Sequence, residues 1–377
     1  MKISAPKEVH PGETRAPLTP ESAAKLVRLG AQVEVESGIG VAAGFPDDAY
    51  AKAGATISND RKGLISSADI VLRLRKPPMD EIAWLKPNAI HASLLDPFNE
   101  KELIQKFAEH GVSAISMELI PRTTRAQKMD VLSSQANLGG YEAVILAARY
   151  SNKIFPMMTT AAGTILPAKV FIIGVGVAGL QAIATAKRLG AKVTAYDTRP
   201  IVEEQVKSLA AQFLKIDLGE TGQTKEGYAK ALTEDQIRKQ REAMKKTCAD
   251  SDVVITTAQV FGRRAPILVT REMLDAMKPG SVVVDLAVET GGNVEGAAAD
   301  QVVDSNGVKI IGITNLPGRA PLHASQVYSA NLVNLIEEYW DKKEKVFTLK
   351  LDDEIIKGCL VTHGGKIVNE KLLPKTN

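Results

Sequence analysis

Cysteine is nearly absent from this chain: Cys248 and Cys359 are the two in 377 residues. They lie far apart and form no metal-ligand spacing. The expectation is two free thiols in a reducing cytosol and no bound metal. Excess charge is missing too. With 47 basic and 44 acidic residues the formal net charge is +3. No Lys/Arg block or interleaved aromatics occur, so no nucleic-acid partner is expected. The opening Met1-Lys2-Ile3-Ser4-Ala5-Pro6-Lys7-Glu8 lacks the apolar core of a secretory signal. Long apolar runs are scarce. Val170 to Ala186 comes nearest to a membrane span, with only Gln181 and Thr185 polar, but Gly174, Gly176 and Gly179 interrupt it. A strand, a tight turn and a helix start account for it better, so a soluble protein without direct membrane insertion is expected.

Catalytic side chains are sparse as well. The five histidines, His10, His91, His110, His323 and His363, are scattered, and none stands with a nucleophile and an acid. His91 falls in a strand-like run and reads as a core residue. A dehydrogenase of alcohols or amines needs a group that moves a proton alongside the hydride. Hydride exchange between two nicotinamides needs only two rings held close and water kept out.

What is present is an ordinary globular composition, 45% hydrophobic and 24% charged, long enough for two domains. Strand-like runs alternate with helical ones. The first series predicts strands at Lys2–Ala5, Gln32–Glu36, Asp69–Leu74, Asn88–Ser93 and Val112–Met117, with helices at Pro20–Leu29 and Asn99–His110. A polar, irregular stretch follows from Glu118 to Gln135, then a long helix at Ser134–Tyr150 that Gly139 and Gly140 weaken. The second series predicts strands at Lys169–Ile173, Lys192–Tyr196, Asp252–Thr257, Ser281–Leu286 and Lys309–Thr314, and a helix at Ser325–Tyr339. This alternation implies an α/β fold: two Rossmann-like domains with mostly parallel sheets, joined by two long helices. The expected division is 1–133 plus 340–377 for an N-terminal domain completed by the tail, 134–150 and 325–339 for the linking helices, and 151–324 for a dinucleotide-binding domain.

The strongest motif is Gly174-Val175-Gly176-Val177-Ala178-Gly179, a G-x-G-x-x-G run between a strand and a small-residue helix. A second strand ends at Asp197, 18 residues after Gly179. In that context the run is a dinucleotide fingerprint. Gly174 permits the turn, Gly176 admits the pyrophosphate, and Gly179 lets helix and strand pack closely. The pyrophosphate would rest on the helix N-terminus. Asp197 is expected to accept the adenosine ribose hydroxyls and to favour NAD over NADP, although Arg199 nearby suits a 2′-phosphate.

A second polar cluster, Arg122-Thr123-Thr124-Arg125-Ala126-Gln127-Lys128-Met129-Asp130 followed by Ser133, Ser134 and Gln135, falls at the expected domain junction, where ligands often bind. By composition alone a solvated loop remains open. The run from Pro121 to Leu138 resembles the signature loop of the NAD(H)-binding component, domain I, of proton-translocating transhydrogenases. So do Phe155 to Thr164, Gly174 to Ala186 and Val284 to Asn293. The resemblance extends over essentially the whole chain, with Thr123-Thr124 a mild departure. It implies that Arg122, Asp130 and Ser133 position the nicotinamide carboxamide and ribose, and that Gln127 reaches a nucleotide on a partner. It further implies that Asp197, Thr198 and Arg199 meet the adenosine end, and that Gly227, Gln240 and Gln259 line the site. Gly219 to Lys239 would be a mobile loop with Tyr228 near its tip. The implied cofactor is NAD(H), with NADP(H) held by a partner subunit rather than by this chain. The implied assembly is a homodimer with NADP(H)-binding and transmembrane subunits, at the inner face of a bacterial inner membrane.

A rival resemblance is to alanine dehydrogenase, a sister family. Pro6-Lys7-Glu8 and Arg15 fit it. Arg75 stands where that family has a substrate lysine, Leu94 where it has a histidine, and Glu289 where it has an aspartate. Arginine does not shuttle protons, and Leu94 has no group to do so.

Overall fold

The computed structural model describes residues 1–219, 221–222, 232–259 and 261–373. The chain forms two compact units, Met1–Gln135 with Gly318–Asn377, and Ala136–Pro317.

In the first unit the chain runs β1 (Lys2–Ala5), α1 (Pro20–Arg28), β2 (Gln32–Glu36), α2 (Asp47–Lys52), β3 (Thr56–Ser58), α3 (Arg61–Ser67), β4 (Ile70–Leu72), β5 (Ile90–Ser93), α4 (Lys101–Glu109) and β6 (Ser113–Ser116). The sheet order is β3-β2-β1-β4-β5-β6, and every pairing is parallel. This is the doubly wound order, whose direction reverses between β1 and β4. Helix α1 starts where its sequence sets it: the Thr19 side chain accepts from Ser22 N–H, and Pro20 occupies the first turn.

The chain passes from the first unit to the second within α5 (Val131–Tyr150). A two-stranded hairpin follows, β7 (Met158–Thr160) and β8 (Gly163–Ile165). Then come β9 (Lys169–Ile173), α6 (Val177–Arg188), β10 (Lys192–Tyr196), α7 (Glu203–Ser208), β11 (Gln212–Phe213), α8 (Glu234–Asp250), β12 (Val253–Thr256), α9 (Arg271–Asp275), β13 (Val282–Asp285), β14 (Val302–Ser305) and β15 (Val308–Ile311). The order is β11-β10-β9-β12-β13-β15-β14, parallel except for the antiparallel edge pair β14–β15. Both faces of the central strands are buried, which explains their unbroken apolar runs. Val170, Ile172, Val253, Ile255, Val282 and Val284 enter one core cluster, while Phe171, Ile173, Val254 and Val283 enter the other.

The last long helix, α10 (Pro321–Glu338), differs from its expected role. In place of linking the domains, it belongs to the first unit. Its buried Ser325 and Ser329 accept from the backbone N–H of Ala16 and Thr19 at 2.8 and 3.0 Å. Its buried Tyr328 donates to the Arg73 carbonyl at 2.8 Å. Polar residues that read as an exposed face are thus the helix's bonds to the start of the chain. Three strands absent from the expectation, β3, β7 and β8, are each three residues long, too short to show a period.

Candidate functional site

In the second unit the sheet direction reverses between β9 and β12, and open α/β sheets bind ligands outside the strand ends at such a point. Gly174 ends β9 at φ +95°, and a Cβ on Gly179 would stand 1.9 Å from the Gly174 carbonyl oxygen. Only glycine allows that approach. Thr257, just past β12, ties the two strand ends together by donating from its hydroxyl to the Gly174 carbonyl at 2.9 Å. A Cβ on Gly176 would meet nothing within 4 Å, so the turn is open at the position where a pyrophosphate must approach. Gly176 supplies no capping side chain to α6. The helix N-terminus, with Val177 39% exposed, therefore presents backbone amides and its dipole to an anion. The four expected residues Gly174, Gly176, Val177 and Gly179 are together, and they fit a dinucleotide.

Asp197 sits at the end of β10, as its spacing predicts, but its carboxylate is already engaged. It accepts from Val175 N–H at 2.8 Å and from the Arg199 backbone and side chain. Thr198 lies between them, partly buried. Gln240, expected to line the site, is 6% exposed and donates to the Tyr196 hydroxyl at 3.0 Å, which ties α8 to β10. Gln259 is exposed and donates to the Leu286 carbonyl at 2.8 Å. Gly227 and Tyr228, with most of the expected loop, lie outside the described residues.

Two residues that frame this site carry no sequence expectation of their own. Asn293 is fully buried. It donates to the carbonyls of Ala258 and Pro266 and accepts from Ala258 N–H at 3.1 Å, which fixes the chain after β12. Asp285, at the end of β13, accepts from the N–H groups of Ala287, Asn293 and Val294. Burial pushes its carboxyl up against those bonds. The available signal is the run Val284 to Asn293, which stands out by resemblance only.

In the first unit the polar cluster is not a free loop. Residues Thr124–Met129 form a short 3₁₀ helix with Ala126 and Met129 fully buried. Asn331 and Asn334 of α10 both donate to the Lys128 carbonyl at 2.9 Å, and Lys128 pairs with Glu338 at 2.8 Å. Arg125 pairs with Asp353. With its backbone held this way, the segment presents Arg122 and Gln127 as exposed side chains. Asp130 caps α5: its carboxylate accepts from Ser133 N–H at 2.9 Å and from the Ser133 hydroxyl at 2.6 Å. The structure therefore brings Asp130 and Ser133 into contact and sets Gln127 on the surface.

The residues of the rival reading lie at this unit's own point of reversal. Arg15, 3% exposed at its side chain, donates to both oxygens of Glu13 and to Gln135 at 2.8 Å. Arg75 also donates to Glu13, at 2.9 Å. Burial alone would raise Glu13, but Arg15 and Arg75 outweigh it and hold the carboxyl at about 2. His91 is fully buried, 5.0 Å from the Phe107 ring and 3.0 Å from the Ser93 hydroxyl. Burial, with Arg73 nearby, pushes its pKa well down, so it is a neutral core residue.

Comparison with known proteins agrees with this geometry. The family description "Alanine dehydrogenase/PNT, N-terminal domain" matches residues 4–139, and "Alanine dehydrogenase/PNT, C-terminal domain" matches residues 143–370. The chain is 46% identical over 379 aligned residues to the first portion of the NAD(P) transhydrogenase alpha subunit of Rhodospirillum rubrum, a separate polypeptide, covering 99% of each. It is 30% identical to "Alanine dehydrogenase 1" of Staphylococcus aureus, over 99% of this chain and 96% of that one. Among solved structures, transhydrogenase from Sinorhizobium meliloti superposes with a TM-score of 0.88 at 45% identity, covering 98% of this chain and all of that one.

Proposed function

Given that the chain belongs to the alanine dehydrogenase/PNT family, alongside its NAD(P) transhydrogenase alpha subunits, we propose that it binds NAD(H) and exchanges hydride with NADP(H) held on a partner subunit. The reaction is NADH + NADP⁺ → NAD⁺ + NADPH, coupled to inward proton movement through membrane subunits. The observation that carries this reading is the open, glycine-only turn at the α6 N-terminus, set at the reversal of the second sheet. NAD(H), when bound, supplies the transferable hydride. The chain's own part is to hold and orient it.

The α6 amides and dipole hold the pyrophosphate, Asp197 and its neighbours meet the adenosine end, and Gln240 and Gln259 support the surrounding wall. Arg122, Asp130 and Ser133 position the nicotinamide carboxamide and ribose, the Asp130–Ser133 bond giving them a fixed geometry. Gln127, exposed on an anchored segment, reaches toward the partner's nucleotide. Neither this exchange nor its geometry needs a proton donor, in keeping with a neutral, buried His91.

The partners we propose are a second copy of the chain and the NADP(H)-binding and transmembrane subunits. Among the described residues no helix is long and apolar enough to cross a membrane, which supports a peripheral position on the inner face of the bacterial inner membrane. Self-association is supported by the hairpin β7–β8, whose six residues are all exposed. Met157 and Leu166 flank it at 64% and 67% exposure, a large apolar presentation for an element with so little core beneath it.

Fluorescence titration with NADH tests the binding half of the reading. Saturable binding that Gly176→Val abolishes in a folded protein supports it; no saturable binding overturns it. The amino-acid dehydrogenase reading is weaker, because Arg15 has its donors on Glu13 and Gln135, and Leu94 has no proton to give.

A further inference from the structure

Asp197 and Arg199 are joined more completely than a cofactor-binding pair should be. Oδ1 of Asp197 accepts from the backbone N–H of Arg199 at 2.9 Å and from its Nε at 2.9 Å. Oδ2 accepts from Val175 N–H at 2.8 Å and from Arg199 Nη2 at 2.8 Å. A carboxylate offers about four acceptor positions, and here all of them are taken. Arg199 Nη2 also reaches the Val175 carbonyl at 3.1 Å, so the guanidinium spans the carboxylate and the fingerprint turn. The arginine and aspartate side chains are 17% and 7% exposed, and the pair raises the arginine's own pKa further.

We propose that Arg199 is a displaceable latch on Asp197 and that the pair, rather than the aspartate alone, sets the preference between NAD(H) and NADP(H). This rests on reading the second unit as a dinucleotide site. Ribose hydroxyls reach Asp197 only by displacing Nε and Nη2 of Arg199, while the two backbone N–H groups stay on the carboxylate. The displaced guanidinium then lies beside the 2′ position, where its charge offsets part of the repulsion between Asp197 and a 2′-phosphate. The latch therefore weakens NADH binding and tempers the rejection of NADPH at once.

The test is equilibrium titration of the full chain with NADH and with NADPH, for wild type, Arg199→Gln and Asp197→Asn, each checked for an unaltered circular dichroism spectrum. Arg199→Gln removes the fork and its charge. It is expected to bind NADH about three- to tenfold more tightly and NADPH more weakly, which widens the preference. Asp197→Asn keeps an acceptor for Val175 N–H and frees the arginine, and the preference should narrow or reverse. Should Arg199→Gln fail to fold, Arg199→Lys keeps the charge but not the fork, and still predicts tighter NADH binding. Weaker NADH binding in either arginine variant overturns the latch, because Arg199 would then be a direct contact. An unchanged ratio of NADH to NADPH affinity also overturns it. Wild type that binds neither nucleotide overturns the dinucleotide reading itself, a result distinguishable from both.

Discussion

A Cβ on Gly140 would stand 2.1 Å from the carbonyl oxygen of Ala178. Helix α5 and the first turn of the fingerprint helix α6 therefore meet backbone to backbone, and the glycine that weakens α5 locally is what permits the meeting. Gly139, one residue earlier, has only ordinary contacts, at 3.9 Å or more. Gly140→Ala should lose about 1–3 kcal/mol of stability through overpacking. Gly139→Ala should be neutral or gain up to about 1 kcal/mol from helix propensity. Thermal unfolding of the two variants side by side checks the pair; equal Tm values would remove the close approach as an explanation.

Gln127 gives the second prediction. Gln127→Asn keeps the amide and shortens its reach by one methylene. NADH affinity of the chain alone should hardly move, because the anchors of Thr124–Met129 are its carbonyl and apolar contacts, not this side chain. Hydride transfer with the NADP(H)-binding component should fall at least about tenfold, since small misplacements of reacting groups are costly. A wild-type transfer rate would take Gln127 out of the mechanism.

Glu8 makes stability depend on pH. Its Oε1 accepts from Leu74 N–H at 2.6 Å. Burial, reinforced by Glu13 and opposed by Arg73 and the Leu74 N–H, pushes its carboxyl from 4.5 up to about 7. Between those values the unfolded chain loses the proton and the folded one retains it. This group's contribution to stability therefore falls as pH rises from about 4.5 to about 7 and is level above. Glu8→Gln keeps the acceptor and cannot ionise. It should match wild type near pH 4 and exceed it at pH 8 by on the order of 1–3 kcal/mol. A constant difference across that range would argue that Glu8 titrates normally.

The hairpin predicts assembly. Leu166→Asp places a charge on its exposed apolar flank, where the chain itself buries nothing. If the hairpin joins two copies, light scattering should report about half the wild-type mass at micromolar concentration, with the unfolding of the isolated chain little altered. An unchanged mass would put the dimer contact elsewhere.

Much of this is legible in the sequence, and the residues show why the rest is not. Strands β9, β10 and β12 carry unbroken apolar runs because both faces are covered, so their positions can be read to within a residue or two. Gly174, Gly176, Gly179 and Asp197 are placed by spacing alone. What spacing does not carry is occupancy. That Asp197 is already satisfied depends on where the Arg199 side chain turns. The segment around Lys128 reads as a solvated loop because its partners, Asn331 and Asn334, lie some 200 residues away. Helix α10 reads as a linker because Ser325 and Ser329 look like an exposed face, until Ala16 and Thr19 supply the N–H groups they accept from.

The central claim is that this chain holds NAD(H) for direct hydride exchange with a second nicotinamide nucleotide. The most direct measurement is single-turnover transfer from 4-deuterated NADH, bound to this chain, to NADP⁺ on the NADP(H)-binding component. The account predicts that deuterium appears in NADPH without exchange with water, only when both proteins are present. It also predicts no NADH oxidation when this chain alone is given pyruvate and ammonia. Transfer that needs no partner, label lost to solvent, or turnover with pyruvate and ammonia would contradict it.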